Sequence, residues 1–237
     1  MPPTNNAIQD RKLFSEIAKR YDFLNHFLSF NIDQTWRKRL VGSADPKPGD
    51  MILDVCTGTG DIAIRFAQND RAGQIVGIDL TDEMLQIARH KLKGSRNGRR
   101  IQLLRGDGLK LPFGDDCFDI VTIGFGLRNL ESHQRGISEM VRVLRCGGRL
   151  LILEFSPPEE NLFGKVYDLY LSTVIRAVGS VVSGSKDAYR YLSISIANFP
   201  QPEEILKLME AEGLRELRYK KLTGGIAYLY RGQKQSM

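Results

Sequence analysis

Apolar residues recur at steps of three and four between residues 10 and 42, where Leu13, Ile17, Tyr21, Leu24 and Leu28 fall on one helical face. Asp33 is placed to cap a second helix that carries Trp36 and Leu40. Pro46, Pro48 and Gly49 break the pattern, and beyond them the period changes. Met51 to Cys56 is a short apolar run closed by a glycine turn, which predicts a first strand. Asp61 to Gln68 reads as a helix, and Gln74 to Ile78 as a second strand ending at Asp79. Thr81 is positioned to cap a helix from Asp82 to Lys93. Ile101 to Leu104 and Phe118 to Ile123 supply strands three and four. His133 to Leu144 reads as a helix stopped by Gly147-Gly148, and Arg149 to Glu154 as strand five. Strands alternating with helices predict a parallel, doubly wound sheet.

The last third changes character. Asn161 to Ser183 is apolar with sparse charge. Glu203 to Glu212 reads as a helix ended by Gly213. Leu214 to Lys220 and Ile226 to Tyr230 read as two strands around Thr223-Gly224-Gly225. With no helix between them they must pair as an antiparallel hairpin. The expected fold class is α/β: a doubly wound, seven-stranded, mostly parallel sheet with a C-terminal antiparallel hairpin and an N-terminal helical lid.

Composition adds limits. At 237 residues, 42% hydrophobic and 26% charged, the chain reads as globular and able to bury a sizeable core. Net charge is +6, which suits anionic partners or simple solubility. Cys56, Cys117 and Cys146 lie far apart with no metal or redox spacing, as expected in a reducing compartment. Residues 1–12 are polar, so no secretory signal is expected. No apolar run reaches the ~18 residues that span a bilayer. A cytoplasmic protein is expected, or one resting peripherally on the inner face of the membrane.

The candidate chemistry lies at strand ends. In doubly wound sheets, ligands bind beyond the carboxyl ends of the strands, where strand order reverses. Gly58-Thr59-Gly60 forms the turn after strand one, where glycine lets the backbone approach a ligand. Asp54, at the end of that strand, can pair with a ligand ammonium or hold the glycine turn. Asp79, closing strand two, stands where a carboxylate accepts from both ribose hydroxyls. Gly58-x-Gly60-x-x-Ala63 also satisfies a dinucleotide fingerprint. Three features oppose a nicotinamide cofactor. Asp54 and Asp61 flank the loop and sit badly beside a pyrophosphate. Gly106-Asp107-Gly108 offers a carboxylate with small neighbours to an adenine amino group. The terminal hairpin does not resemble a second mononucleotide-binding half. A bland alternative is that Asp54 and Asp61 only cap the next helix.

At these residues a resemblance appears. Asp54-Val55-Cys56-Thr57-Gly58-Thr59-Gly60-Asp61 resembles the first motif of class I methyltransferases. Tyr21-Asp22-Phe23-Leu24-Asn25-His26-Phe27-Leu28-Ser29 followed by Trp36, and Arg142 to Leu150 followed by Glu154-Phe155-Ser156, are similar to the paired signatures of the ubiquinone/menaquinone biosynthesis C-methyltransferases. Leu111-Pro112-Phe113, Gly124 to Asn129, Tyr189 to Leu192, Phe199-Pro200 and Leu222 to Ile226 extend the likeness over about residues 12–232. Leu24, Asp33, Arg145 and Cys146 depart from the pattern, and Asp33 stands where histidine is usual.

The resemblance implies a methyltransferase that uses S-adenosyl-L-methionine and methylates a ring carbon of a prenylated quinol. Demethylmenaquinol is the first acceptor and the ubiquinone precursor, 2-methoxy-6-polyprenyl-1,4-benzoquinol, the second. It implies cofactor contacts at Asp54, Gly58, Thr59, Gly60, Asp79, Leu80, Asp107, Gly108 and Gly124, and a catalytic neighbourhood at Arg128 and Asn129. Tyr21, Asn25 and Tyr189 are the expected substrate residues, and no metal is expected. A membrane surface and a second copy of the chain are the expected further partners; nucleic acid is not. One methyltransferase domain is expected across 1–237: a lid at 1–45, a cofactor-binding core at 46–156, a helical insertion on the substrate side at 157–200, and a helix with the hairpin at 201–237.

Carbon methylation needs an electron-rich ring carbon in line with the transferred methyl, so proximity dominates. A group that stabilises the phenolate beside the target carbon helps. Arg128 follows strand four at the expected edge, cannot act as a base itself, and can stabilise a phenolate or orient a water; a surface ion pair with Glu131 is the bland alternative. Asn129 can hold the hydroxyl. His26 is expected to be structural, His90 and His133 exposed, and Cys56 a small core residue. The segment Leu162 to Val182 suits a buried helix, a wall for the prenyl tail or a face on lipid. An oxidoreductase using a dinucleotide and a non-catalytic cofactor-binding scaffold stay open as other classes.

Overall fold

The computed structural model of the chain describes residues 32–157 and 194–235. The periodic stretch Leu13 to Leu28, the segment Asn161 to Ser183, and Tyr21, Asn25, His26, Tyr189 and Tyr191 lie outside the described residues. The described elements run α1 (Ile32–Ala44), β1 (Asp50–Val55), α2 (Asp61–Ala67), β2 (Ala72–Asp79), α3 (Asp82–Leu92), β3 (Ile101–Arg105), β4 (Phe118–Gly124), α4 (His133–Val143), β5 (Leu144–Phe155), α5 (Pro202–Ala211), β6 (Leu214–Leu222) and β7 (Ala227–Lys234). The strands form one seven-stranded sheet in the order β3-β2-β1-β4-β5-β7-β6. β1 to β5 pair in parallel with their neighbours. β7 runs antiparallel to both β5 and β6. The expected α/β class, seven-stranded mostly parallel sheet and terminal hairpin are present.

The apolar runs explain the layers. Ile52, Leu53, Val55, Ile120, Val121 and Ile123 are sealed from solvent because the central strands are covered on both faces, as parallel sheets require. On one face, Ile137 and Met140 of α4 and Ile205 and Met209 of α5 pack with Leu53, Val121, Leu150 and Ile152. On the other, Trp36 and Leu40 of α1 and Phe66 of α2 pack with Ile52, Ile120, Leu151 and Leu153. The chain runs outward from β1 to β3, then returns to β4 on the other side of β1. Strand order therefore reverses between β1 and β4, which opens the crevice where ligands bind in such sheets.

Some local expectations need correction. Gly147-Gly148 does not stop α4. β5 already begins at Leu144, opposite Phe118, and pairing resumes at Arg149 opposite Ile120. The residues between are looped out, with Gly147 at φ 76°, so the glycines serve a bulge. Asp33 lies within the first turn of α1, buried, and accepts from Arg37 Nε at 3.3 Å. Thr81 does precede α3, but its side chain makes no cap hydrogen bond to that helix.

Candidate active site

The two strands that border the crevice end in strained backbone. Cys56, just after β1, has φ 52°, and Phe125, just after β4, has φ 58°. Neither is glycine, and such outliers cluster where a chain must turn sharply at a site. After Cys56 the chain folds back on itself. Thr57 N donates to Ile78 O at 2.9 Å and Gly60 N to Thr57 O at 2.9 Å. Gly60 takes φ 85° to start α2, a conformation that suits glycine. Gly124 closes β4 under that helix: a Cβ there would lie 2.2 Å from Ile62 Cδ1. Its lack of a side chain lets α2 sit against the strand.

The predicted carboxylates gather at this edge. Asp54 is sealed and accepts from Thr57 Oγ1 at 2.6 Å and Thr122 Oγ1 at 2.8 Å. It thus holds the turn through hydroxyls rather than N–H groups. Burial pushes its carboxyl up to about 6, against the lowering pull of those hydroxyls and of Arg37. Asp79 Oδ2 accepts from Gly58 N at 2.8 Å and Oδ1 from Thr81 N at 2.9 Å. The Thr81 hydroxyl also turns to Asp79, and burial raises this carboxyl too. Gly106 N donates to Asp79 O at 3.0 Å, which ties the end of β3 to the end of β2. Asp107 is exposed, with Oδ1 accepting from Leu109 N at 2.8 Å, and Gly108 is buried behind it. Leu80, beside Asp79, is 41% exposed, a rare position for a large apolar side chain in this fold.

Cys56 reports the electrostatics of the crevice. Burial pushes its thiol up, and Asp79, Asp54, Asp107 and Glu154 all push it further. A thiol so placed stays protonated and is a poor nucleophile, as expected, though Cys56 is part-buried at the margin of the core rather than within it. Asp54, Asp79 and Asp107 make this edge acidic, while Glu154 is paired with Arg128. Such a field disfavours a pyrophosphate and favours a cationic ligand.

Thr59 and Asp61 look elsewhere. Lys91 Nζ donates to Thr59 Oγ1 at 2.9 Å and to Asp61 Oδ1 at 2.7 Å. Arg37 Nε lies 4.0 Å from Asp61 Oδ2. Asp61 opens α2 just after the N-cap Gly60, and its charge is answered by two cations, which weakens its weight as an argument against a phosphate.

Arg128 sits on a short 3-10 turn, Leu127–Asn129, after β4. Its guanidinium is not on the surface: Arg128 and Glu154 side chains are 2% and 0% exposed. Nη1 donates to Glu154 Oε1 at 2.5 Å and to Phe125 O at 2.7 Å. Arg128 N and Phe155 N donate to the same carboxylate at 3.2 and 2.9 Å. The guanidinium also lies 5.3 Å from the Phe155 ring centre. Asn129 Nδ2 lies 3.4 Å from Phe125 O. Trp36, Phe125 and Phe155 form an aromatic cluster with centroids 4.7 to 6.2 Å apart. Trp36 Nε1 donates to Thr223 Oγ1 at 2.9 Å, which ties α1 to the hairpin turn. His133 is half-buried, not exposed, with its ring edge-on to Phe199 at 5.3 Å. Burial lowers its pKa, and Glu154 opposes that.

Two residues escaped sequence reading. Arg37 and Glu154 both carry charge at buried positions. Asp33, Trp36, Arg37, Leu40 and Ala44 share the buried face of α1, so a charged pair on an apolar stripe was the available signal. Glu154 interrupts the apolar run Leu150 to Phe155, and an acid inside a central strand demands a buried partner.

Residues 4–234 match the model of the ubiE/COQ5 methyltransferase family. The chain belongs to that family. It is 44% identical to the demethylmenaquinone methyltransferase of Thermus thermophilus, over 94% of this chain and 100% of the relative. It is 43% identical to the ubiquinone/menaquinone biosynthesis C-methyltransferase UbiE of Geobacter sulfurreducens, over 98% of this chain and 90% of the relative. The fold is similar to that of a SAM-dependent methyltransferase from Thermotoga maritima, with TM-score 0.67, 20% identity, and 94% and 99% of the two chains covered. It is also similar to Haemonchus contortus phosphoethanolamine N-methyltransferase 2 in complex with S-adenosyl-L-methionine, with TM-score 0.65, 15% identity, and 85% and 53% covered. The family member is thus a methyltransferase with the fold of S-adenosylmethionine-dependent enzymes. Among its described residues no helix is long and apolar enough to cross a membrane, and no cluster of three or more metal-ligating side chains forms.

Proposed function

We propose that the enzyme transfers a methyl group from S-adenosyl-L-methionine to a ring carbon of a prenylated naphthoquinol, converting demethylmenaquinol to menaquinol. The observation that carries the reading is the acid-lined crevice at the reversal of strand order, around Cys56. It suits a cationic nucleoside cofactor. The acceptor follows from the demethylmenaquinone methyltransferases of Thermus thermophilus and Deinococcus radiodurans, 44% and 43% identical to this chain. The relative in Geobacter sulfurreducens, named for both quinones, supports the benzoquinol precursor as second acceptor.

The residues present fit the cofactor. Asp79 is fixed by Gly58 N and Thr81 N and is the acceptor for two ribose hydroxyls. Leu80 offers an exposed apolar surface to a purine face, and Asp107 a carboxylate to its amino group. Gly58, Thr59, Gly60, Gly108 and Gly124 keep side-chain bulk out of the crevice or contribute main chain. Asp54 supplies buried negative charge. When bound, the cofactor supplies an electrophilic methyl on a sulfonium.

The chain's share of the chemistry is orientation and charge. Arg128 and Asn129 are the acceptor-side residues. Glu154 holds the guanidinium, so Arg128 meets the quinol oxygen without the entropy loss of a mobile side chain. Its role is to stabilise the phenolate as negative charge builds beside the target carbon. Tyr21, Asn25 and Tyr189 are the further substrate residues of this reading. The apolar tail of the acceptor and the net charge of +6 support a peripheral contact with the membrane surface.

An assay with demethylmenaquinol and the benzoquinol precursor side by side, read by mass of the products, tests the acceptor. Faster methylation of the naphthoquinol is expected. Methylation of the benzoquinol alone would overturn the assignment.

A further inference from the structure

The crevice holds a cation that the reading above does not use. Arg37 projects from α1 to the reversal point between β1 and β4. Its guanidinium carbon lies 5.2 Å from the ring centre of Phe125, the residue after β4. It is near enough to Asp54, at the end of β1, to lower that carboxyl. Asp61, at the start of α2, lies 4.0 Å from its Nε. The side chain is 8% exposed. An arginine carries five N–H donors. Among the described residues only Nε donates a hydrogen bond, to Asp33 Oδ2 at 3.3 Å. Nη1 and Nη2 find no acceptor there. The side chain is nine-tenths enclosed, yet its outer fork has no acceptor among the described residues and stays open to a ligand. That fork is the face a carboxylate takes bidentately.

The ligand chemistry follows from the surroundings. The crevice is rich in carboxylates, so a bare anion would be repelled. A zwitterion is not: its ammonium is served by the acid field of Asp54 and Asp79, and its carboxylate needs one nearby cation. Arg37 and Asp54 are such a matched pair, brought near each other at the reversal point by α1 and β1. We infer that Arg37 binds the carboxylate of the amino-acid end of the cofactor, and that α1 therefore forms part of the cofactor site as well as a wall of the core. Asp33 orients the guanidinium through Nε and leaves the fork free for that carboxylate. The inference rests on the S-adenosylmethionine reading of the crevice.

The test separates the two halves of the ligand. S-adenosylhomocysteine carries the amino-acid end; 5′-methylthioadenosine keeps the nucleoside and lacks it. Calorimetric titration of both into the purified chain and into Arg37→Met and Arg37→Lys needs no turnover. Arg37→Met is expected to weaken S-adenosylhomocysteine binding about 10- to 100-fold, the size of a lost charge-assisted pair. Binding of 5′-methylthioadenosine should stay unchanged, which also shows that the variant is folded. Arg37→Lys should fall between, since a lysine keeps the charge without the fork. Equal weakening of both ligands would make Arg37 a structural residue and overturn the inference. So would unchanged binding of S-adenosylhomocysteine. If the unaltered chain bound neither nucleoside, the cofactor reading itself would fall, and this inference with it.

Discussion

At the end of β1 the acids are held by neutral groups; at the end of β5 an acid is held by a cation. Asp54 and Asp79 accept hydrogen bonds only from hydroxyls and main-chain N–H groups in the contacts described, with Arg37 acting on Asp54 through charge alone. Glu154 instead neutralises Arg128, with both side chains almost fully enclosed. The first arrangement suits a ligand that brings positive charge with it. The second fixes one donor in place for an acceptor whose negative charge develops only during reaction. On the proposed reading, cofactor binding and acceptor activation belong to different halves of one sheet edge, and substitutions should separate them.

The largest effect is expected from Arg128→Ala. It leaves Glu154 buried without its cation, which costs about 3–5 kcal/mol of stability. Turnover should also fall about 10²- to 10³-fold, as for loss of a preorganised charge-stabilising donor. S-adenosylhomocysteine affinity, measured by calorimetry below the melting temperature, should be spared. Lost affinity with retained turnover would merge the two halves. Next comes Asp79→Ala, which frees Gly58 N and Thr81 N and removes the ribose acceptor. Affinity for S-adenosylhomocysteine should drop about 10- to 100-fold. Turnover at saturating cofactor should largely recover, and a persistent turnover defect would place Asp79 in the chemistry.

A subtler effect concerns pH. The Asp54 carboxyl, raised from 3.8 to about 6, is protonated in the ligand-free fold below that value. Protonated Asp54 stabilises that fold below about pH 4, and the contribution is lost as pH rises through about 6. A cationic ligand needs the ionised form. Its affinity should weaken as pH falls through about 6, and Asp54→Asn should flatten that dependence between pH 5 and 7, roughly the window the shift defines. An unchanged slope in the variant would assign the effect to another group. The smallest effect is expected at Cys56. Its thiol is held protonated, so Cys56→Ala should change turnover less than about threefold. A loss of the Arg128→Ala size would mean that the sulfur takes part.

Much of the fold was legible because the central strands carry short apolar runs and the helices between them carry apolar stripes. The hairpin followed from the missing helix between β6 and β7. The glycine turn, Asp54, Asp79 and Asp107 were readable because strand ends fix where side chains emerge. What stayed hidden were partnerships across the sheet. Nothing local in Arg128 names Glu154 as its partner, 26 residues away. Arg37 drew no notice in the sequence; only packing puts its guanidinium against Phe125. Gly147-Gly148 misled because a bulge and a helix stop use the same residue type for the same backbone reason.

The central claim is that the acidic crevice takes a cationic or zwitterionic nucleoside and not a dinucleotide. Calorimetric titration of the purified chain with S-adenosylhomocysteine and with NADH tests it most directly. Binding of S-adenosylhomocysteine with no heat from NADH is expected. Binding of NADH alone would contradict it.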